Sequence, residues 1–432
     1  MSASFERAKA LFIEGIGHFQ ARRYDAAETA FAGSLVLLPG RASTLANLGA
    51  ARVQLAKWEP ALDALEQALA LEPDDLDARS HQAIALAALG RFDEAVACHD
   101  RVLGVDPERV GNRLHRGRAL LALARHADAL TDFDGVLQRQ PQHAEASFQR
   151  AQTLQCLDRH ADALAAYETA LAFDPTLAQA WSNRGGILRD MQRLDEAAVS
   201  FEQALANGAD PELNNYFLAS VTGRRTPARA PEAYVEPFFD EYADAFEQHL
   251  HALRYAGHTT LVDGLHGLTA QRYRAALDLG CGTGLCGPRV RPIVDRLDGV
   301  DLSRRMLERA QRLGVYDELV HADVGEHVAR TDRRYDLLLS ADVFIYIGDL
   351  AAVFEGARRV LDDAGVFCFS VEVAADDETF KLLPSLRYAH SERYLRELAA
   401  RNGFEPLQFL RRPLREDQRR PVPGLYVYLA KT

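Results

Sequence analysis

The sequence predicts two fold classes in one chain: an α/α superhelical solenoid of paired helices first, and an open α/β sheet second. Prolines recur every 34 residues between Pro39 and Pro175, which indicates a helical repeat. An apolar run ends in an acid at Asp278 and opens into a glycine-rich turn, as at a strand-to-helix junction of a parallel sheet. The length of 432 residues suits two or three domains.

The repeat is visible at three positions with the same period. Prolines follow each unit, alanines mark its second helix, and small residues mark its first helix, where two helices must cross closely. These residues are Pro39, Pro73, Pro107, Pro141 and Pro175; Ala27, Ala61, Ala95, Ala129, Ala163 and Ala197; and Gly15, Gly49, Ala83, Gly117, Ala151 and Gly185. The pattern resembles the tetratricopeptide repeat (TPR). It predicts six repeats over residues 8–211 and a capping helix that starts at Pro211.

The sixth residue of each repeat is expected to face the concave groove of the superhelix. These residues are Ile13, Asn47, His81, His115, Gln149 and Asn183. Amide and imidazole groups in one row could hydrogen-bond an extended peptide, so a peptide, protein or carrier-bound substrate is a candidate partner. A solvated face and self-association into a homodimer remain alternatives.

The glycine turn reads Asp278-Leu-Gly280-Cys281-Gly282-Thr-Gly284. Glycines there accept unusual dihedrals and let a ligand approach the backbone. A dinucleotide fingerprint read from Gly280 would need a third glycine where Leu285 stands, although an NAD-dependent oxidoreductase stays an alternative. The pattern resembles motif I of class I S-adenosylmethionine (SAM)-dependent methyltransferases. That resemblance implies SAM as cofactor and a Rossmann-like, seven-stranded sheet with an antiparallel seventh strand.

Acids that close the next two predicted strands complete the cofactor site. Asp301 is placed to accept hydrogen bonds from ribose hydroxyls, a role that dinucleotide and methyltransferase folds share, with Leu302 beside it. The resemblance assigns Asp323 and Val324 to the adenine, and Asp323 is also suited to cap a helix. With Asp278, Gly280, Cys281 and Gly282, these residues form the predicted cofactor pocket.

Polar residues at the end of the fourth strand are candidates for the transfer step. Ser340 is expected beside the cofactor, and Asp342 and Tyr346 beside the acceptor or the sulfonium. Some amino-methylating enzymes carry an (N/D)PPY motif at this point of the chain. This sequence lacks the motif, which argues against methylation of a base nitrogen. His390 is the candidate general base by its reference pKa, with Asp342, Tyr346 and Glu372 as alternatives. The sequence shows no metal cluster.

Domain limits follow from composition and from the resemblance. A TPR domain over 1–220, a linker over 221–232, a helical lid over 233–272 and a methyltransferase domain over 273–432 are expected. Within the lid, the resemblance places Tyr234 and Tyr242 against the cofactor.

The overall composition narrows the function classes. A net charge of −12 makes nucleic acid an unlikely partner. The sequence contains no apolar segment long enough to predict a membrane span, and it shows no secretory signal. The five cysteines form no CxxC pair, which suggests reduced thiols in a cytoplasmic protein. The leading hypothesis is a methyltransferase whose repeats recruit substrate or mediate dimerisation. The alternative is a TPR scaffold whose methyltransferase-like domain binds cofactor without catalysis.

Overall fold

The structure is a computed structural model that describes residues 3–268, 272–417 and 420–432. The chain forms two compact units, and the boundary between them along the sequence falls between Arg184 and Gly185. Each unit has its own fold, and the boundary falls inside one helix of the repeat array.

The first unit consists of antiparallel helix pairs. Its helices are α1 (Ala3–Gln20), α2 (Tyr24–Leu37), α3 (Ala42–Gln54), α4 (Trp58–Leu71), α5 (Leu76–Ala88), α6 (Phe92–Val105), α7 (Val110–Ala122), α8 (His126–Arg139), α9 (Ala144–Cys156), α10 (His160–Phe173) and the first part of α11 (Ala178–Asp190). Each repeat proline stands two residues beyond the end of a second helix, for example Pro39 after Leu37. The predicted solenoid is confirmed.

Small residues let the two helices of a pair touch. A Cβ added at Gly117 would lie 2.7 Å from a ring carbon of Phe133, and one at Gly49 would lie 2.4 Å from Leu65. These distances are far below normal carbon–carbon contacts, so the large side chain of one helix requires glycine on the other. The 34-residue period of small residues therefore has a steric cause.

Three of the predicted groove residues form hydrogen bonds with other residues of the array. Asn47 Nδ2 donates to the Ser43 carbonyl, His81 Nδ1 lies 2.8 Å from the Asp77 carbonyl, and Asn183 Nδ2 donates to the Tyr167 hydroxyl. Their first hydrogen bonds are thus made without a peptide.

The second unit contains the end of the array and a mixed α/β sheet. Its helices after α11 are α12 (Leu194–Ala206), α13 (Pro211–Thr222), α14 (Glu232–Tyr242), α15 (Phe246–Ala252), α16 (Gly257–Leu268), α17 (Gly287–Val290), α18 (Arg304–Arg312), α19 (Val324–Arg330), α20 (Ala351–Val360) and α21 (Glu392–Arg401). Helix α13 starts at Pro211 as predicted, and the Asp210 carboxylate caps it. This cap belongs to the same compact unit as the sheet.

The strands are β1 (Tyr273–Leu279), β2 (Val294–Asp301), β3 (Glu318–His321), β4 (Tyr335–Ser340), β5 (Leu361–Val373), β6 (Phe380–Leu382), β7 (Tyr388–His390), β8 (Phe404–Asp417) and β9 (Arg420–Lys431). The main sheet runs β3-β2-β1-β4-β5-β9-β8, and β9 lies antiparallel to both neighbours. This order, with a final antiparallel strand inserted beside the last parallel one, confirms the predicted class I methyltransferase sheet. The short hairpin β6–β7 is an addition to it, and β7 pairs with the end of β5.

Apolar side chains cover both faces of the central strands. Alternate residues of β1 point to opposite faces, so Leu277 joins the cluster with Phe354 and Phe367, whereas Ala276 joins the cluster with Leu261 and other residues of α16. A sheet buried on both faces exposes only its edges and strand ends to ligands.

Candidate active site

The glycine turn lies where β1 ends at the carboxyl edge of the sheet. Gly280, Gly282 and Gly284 have φ angles of +71°, +55° and +92°, a region that favours glycine. A Cβ on Gly280 would lie 2.3 Å from Val343, whereas a Cβ on Gly282 would meet no atom within 4 Å. Gly280 is therefore needed for packing, and Gly282 faces open space.

Asp301 is the last residue of β2, and its side chain hydrogen-bonds the glycine turn. Its Oδ2 accepts a 2.8 Å hydrogen bond from Gly282 N, and its Oδ1 accepts one of 2.9 Å from Ser303 N. Burial raises the pKa of Asp301, and these backbone N–H groups lower it. Each carboxylate oxygen has a second lone pair, so the group can accept further hydrogen bonds from a ligand.

Asp323 caps helix α19 and faces the linker. Its Oδ1 accepts from Glu326 N at 3.0 Å, as the capping hypothesis predicted, and its Oδ2 accepts from Arg229 at 2.6 Å. Arg229 also bonds Glu232, and the adjacent Ala230 N donates to the Tyr346 carbonyl. The linker is thus fixed across the end of β4 by hydrogen bonds.

A cavity of about 420 Å³ lies over these strand ends. Its size falls within the range of small-molecule sites. Four buried polar atoms without a hydrogen-bond partner belong to residues that line it: Thr283 Oγ1, His258 Nδ1, Asp342 Oδ1 and Arg415 Nε. Buried polar groups are rarely left unpaired, so this group of atoms indicates that the cavity accommodates a polar ligand.

Aromatic side chains of α14 and α15 cover the cavity. Phe238, Phe239, Tyr242 and Phe246 line it and contact one another in edge-to-face or stacked pairs. Phe239 also packs edge-on to Tyr346, with ring centroids 5.4 Å apart. This wall is apolar and would exclude water from a bound ligand.

A buried ionic group also borders the cavity. Arg415 of β8 donates to Asp342 at 3.1 Å and also pairs with Glu372 of β5. Arg415 and Glu372 are each 5% exposed, which makes this a desolvated cluster. Asp342 has a φ of +61°, unusual for a residue with a side chain, and its N–H donates to Ser370 Oγ. Its carboxylate contacts Arg415.

Most residues predicted for the site are brought together by the fold. Those that line the cavity are Asp278, Gly280, Cys281, Gly282, Asp301, Leu302, Asp323, Val324, Tyr242, Asp342 and Tyr346. Cys281 is 6% exposed, and burial raises the pKa of its thiol well above the ordinary value, so the thiol remains protonated.

His390, Ser340 and Tyr234 are not among the residues that line the cavity. His390 is fully buried, and its Nε2 donates to the carbonyls of Ile347 and Gly348. Burial lowers its pKa to about 4. Ser340 donates to the Leu279 carbonyl inside the sheet, and Tyr234 packs against Tyr216 and Phe217 of α13. Their predicted contact with a ligand therefore stays a prediction.

Several residues that line the cavity were not among those predicted for the site, including Arg229, His258, Arg387 and Arg415. Arg229 lies in a linker, where arginine is ordinarily solvated. His258 follows an unremarkable Tyr255-Ala-Gly segment. Arg415 lies within the sheet, because β8 extends to Asp417. Only its position near the end of the antiparallel hairpin could have signalled this role.

The sheet order, the glycine turn and the acids at three strand ends define the class: an open α/β domain of the class I methyltransferase type. Comparison with known families agrees. A family profile described as "Methyltransferase domain" matches residues 276–365, and tetratricopeptide repeat profiles match 57–121, 114–178 and 148–213. The chain therefore carries a methyltransferase domain that follows a tetratricopeptide array.

Similar proteins include methyltransferases of several organisms. A malonyl-[acyl-carrier protein] O-methyltransferase of Yersinia pestis is 25% identical over 202 residues, which is 45% of this chain and 70% of that protein. The protein of the same description in Geobacter sulfurreducens is 36% identical over 25% of this chain and 40% of its own length. Human methyltransferase-like protein 27 is 37% identical over 21% of this chain and 38% of its own length. The chain thus spans well under two thirds of the latter two.

Solved structures resemble part of this chain. A Pseudomonas aeruginosa pilF structure is 18% identical, with a TM-score of 0.41, and covers 48% of this chain and 96% of its own. YrrB, described as a TPR protein with an unusual peptide-binding site, is 20% identical with a TM-score of 0.38, over 43% of this chain and 96% of its own. Among the described residues, no helix is both long and apolar enough to cross a bilayer.

Proposed function

We propose that the protein transfers a methyl group from SAM to an acceptor recruited by the repeat array. The observation that supports this most directly is the cavity at the sheet edge, where Asp301 and the open face of Gly282 lie beside buried polar atoms without partners. The matched methyltransferase profile and the relatives' printed names agree with it.

The described residues fit the parts of this cofactor. Asp301 would accept from the ribose hydroxyls through its remaining lone pairs, and Asp323 with Val324 would border the adenine. Thr283 Oγ1 and His258 Nδ1, which have no partner, are available to the polar methionine tail. When bound, SAM supplies an electrophilic methyl group on a sulfonium.

The chain itself would contribute alignment and the exclusion of water. The aromatic residues of α14 and α15 close one side, and Tyr346 with Asp342 borders the acceptor end. Such positioning lowers the activation barrier of a displacement reaction, although no protein side chain forms or breaks a bond. Residues 233–268 act as a lid in this proposal, whereas residues 269–271 of the predicted lid lie outside the described residues.

The repeats suggest how an acceptor reaches the site. Two of the relatives are named for a malonyl group on an acyl-carrier protein, so a carrier-bound or peptide-bound acceptor is the partner we favour for the array. Alternatively, the repeat array mediates the formation of a homodimer. A scaffold with a non-catalytic domain is the alternative function.

Isothermal titration with S-adenosylhomocysteine tests the cofactor, and methyl transfer from labelled SAM to cell extract tests catalysis. Binding without transfer would favour the scaffold. No binding of S-adenosylhomocysteine together with binding of NAD would favour an oxidoreductase and contradict the proposal.

A further inference from the structure

The fourth residue of each repeat is large in every repeat except the fifth, residues 144–177. These residues are Leu11, Leu45, Arg79, Arg113, Ser147 and Trp181. Ser147 on α9 is 1% exposed, and its Oγ is buried without a hydrogen-bond partner. It lines a second cavity, of about 370 Å³, together with residues of α8 and α10. The fifth repeat therefore has a hole beside the position where the other repeats carry a large side chain.

The fourth repeat shows which side chain fills this space. Two residues that line the cavity, Ala166 and Thr169, correspond to Asp132 and Gly135 one repeat earlier. There the space is occupied by Arg113: a Cβ added at Gly135 would lie 2.8 Å from Arg113 Cδ, and Nη1 of Arg113 lies 3.8 Å from the Asp132 carboxylate. The serine of the fifth repeat is too short to reach the equivalent contacts, so the cavity is a vacancy in the repeat pattern.

The sixth repeat fills the position with an aromatic ring. Trp181 Nε1 donates to the Pro175 carbonyl at 2.9 Å, and the guanidinium carbon of Arg184 lies over the Trp181 ring, 5.8 Å from its centroid. A cation at this distance from an indole is attracted to the ring. Arg150, which stands 34 residues before Arg184, lines the cavity of the fifth repeat. The cation of such a pair is thus present there, and the ring is missing.

The charges of the cavity favour a neutral aromatic group over a guanidinium. Asp132, the carboxylate next to Arg113, has Ala166 as its counterpart in the fifth repeat. Asp134 is the only acid among the described residues that line the cavity, and it already accepts a 2.6 Å hydrogen bond from Arg150 Nε. A second guanidinium would lie beside Arg150 without a carboxylate of its own, whereas an uncharged indole avoids that cost.

The chain's own tryptophans already have contacts within the array. The sequence contains two, of which Trp58 packs against an apolar cluster and Trp181 bonds the Pro175 carbonyl. A second copy of this chain could offer an indole ring only by giving up one of these contacts. The vacant position therefore suits a tryptophan of another protein better than a contact between two copies of this chain.

We propose that the fifth repeat binds the indole ring of a tryptophan in a partner protein. The ring would lie against Arg150, as the tryptophan of the next repeat lies against its own arginine. Its N–H would donate to Ser147 Oγ, which has no partner, or to the Pro141 carbonyl, which corresponds to that of Pro175. The site belongs to the repeat array, so it goes beyond methyl transfer and does not depend on the cofactor.

Fluorine NMR on the full chain tests the site, with N-acetyl-5-fluorotryptophanamide as the probe. Its signal should broaden saturably as protein is added, and unlabelled N-acetyltryptophanamide should compete, whereas N-acetylargininamide should not. Absence of saturable binding would overturn the proposal. Competition by the arginine amide as strong as that by the tryptophan amide would overturn the assignment of an indole.

Ser147→Trp supplies the ring from within the chain. The variant should weaken probe binding by about tenfold or more while the melting temperature stays equal or rises, because the added ring fills the vacancy. Ser43→Trp makes the same change at an exposed serine of α3, so it is the matched control and should leave the probe affinity unchanged. Unchanged probe affinity in a folded Ser147→Trp variant would contradict the site.

Arg150→Met keeps the cavity open and removes the cation, so it decides the question even if tryptophan at position 147 prevents folding. It should weaken probe binding by about threefold or more. A merely structural role of Arg150 would lower the melting temperature and leave the probe affinity of the folded protein unchanged. That result would overturn the contact between Arg150 and the ring.

A displayed library of random peptides tests the source of the ring. Peptides selected by the wild type should share a tryptophan and should lose binding to Ser147→Trp. Selection of peptides without tryptophan, or tighter binding of free tryptophan than of N-acetyltryptophanamide, would overturn the protein partner. The affinity for S-adenosylhomocysteine should be equal in the wild type, Ser147→Trp and Arg150→Met, so a failure of this site and a failure of the proposed function are separate results.

Discussion

The Tyr316 hydroxyl donates a 2.8 Å hydrogen bond to Oδ2 of Asp278, which is 2% exposed beneath the glycine turn. Burial raises the pKa of Asp278 to about 7, and this hydrogen bond only partly offsets it. The folded protein therefore binds this proton more tightly than the unfolded chain does. The ionised carboxylate costs stability that increases as pH rises from the ordinary value of 3.8 to about 7.

Asp278→Asn should remove that cost. The amide oxygen can still accept from Tyr316, so the variant should be more stable than the wild type without ligand by a few kcal/mol at pH 8 and nearly equal at pH 4. Thermal melting across this pH range measures it, and Asp263→Asn, an exposed aspartate on α16, is the control. A constant difference between Asp278→Asn and wild type at all pH values would contradict the assignment.

Asp301→Asn should weaken cofactor binding, because an amide is a weaker hydrogen-bond acceptor than a carboxylate for both the turn and the ribose. We expect a loss of about a hundredfold or more in the affinity for S-adenosylhomocysteine, because charged acceptors make the stronger hydrogen bonds. Asp295→Asn changes an exposed acid on the same strand and should bind as the wild type does. Calorimetry compares the three proteins.

Alanine at two glycines of the turn should have different effects. Gly280→Ala brings a Cβ to 2.3 Å from Val343 and should lower the melting temperature strongly. Gly282→Ala meets no atom within 4 Å, so it should cost only about 1–2 kcal/mol for its left-handed backbone. Its methyl group would enter the ligand space, and binding of S-adenosylhomocysteine should fall more than stability does. Equal loss of stability in both variants would refute this distinction.

The helix pairs of the array allow a matched test within α7. Gly117→Ala would lie 2.7 Å from the Phe133 ring and should destabilise the array by about 1–3 kcal/mol. Gly111→Ala meets no atom within 4 Å and should be neutral or slightly stabilising. Urea unfolding followed by circular dichroism should show opposite or clearly unequal shifts, whereas similar destabilisation by both would argue against steric control.

Local patterns predicted the parts of this protein that depend on neighbours in sequence. The 34-residue period fixed the helix pairs because each repeat meets the same steric demand, as at Gly117 and Phe133. The turn and the acids Asp301 and Asp323 could be found because parallel strands end at one edge, whatever their order.

Contacts between distant residues could not be predicted in the same way. Arg229 meets Asp323 across 94 positions, and Arg415 meets Asp342 across 73. His390 looked like a base because its residue type is suitable. The side of β7 that His390 faces depends on how β7 pairs with β5. A strand of three residues is too short for a sequence pattern to reveal this side.

The Tyr216 hydroxyl of α13 donates a hydrogen bond to the Leu386 carbonyl. This contact determines where the chain can be cut into fragments that fold. A fragment that begins after the repeats, at residue 233, would lose α13 and expose the apolar residues around Leu382 and Tyr388 to solvent. We expect such a fragment to aggregate, while one that begins near the boundary at Gly185 keeps that surface covered. The last repeat helices therefore form part of the scaffold of the α/β domain, and gene fusions or domain exchanges that separate them would destabilise that domain.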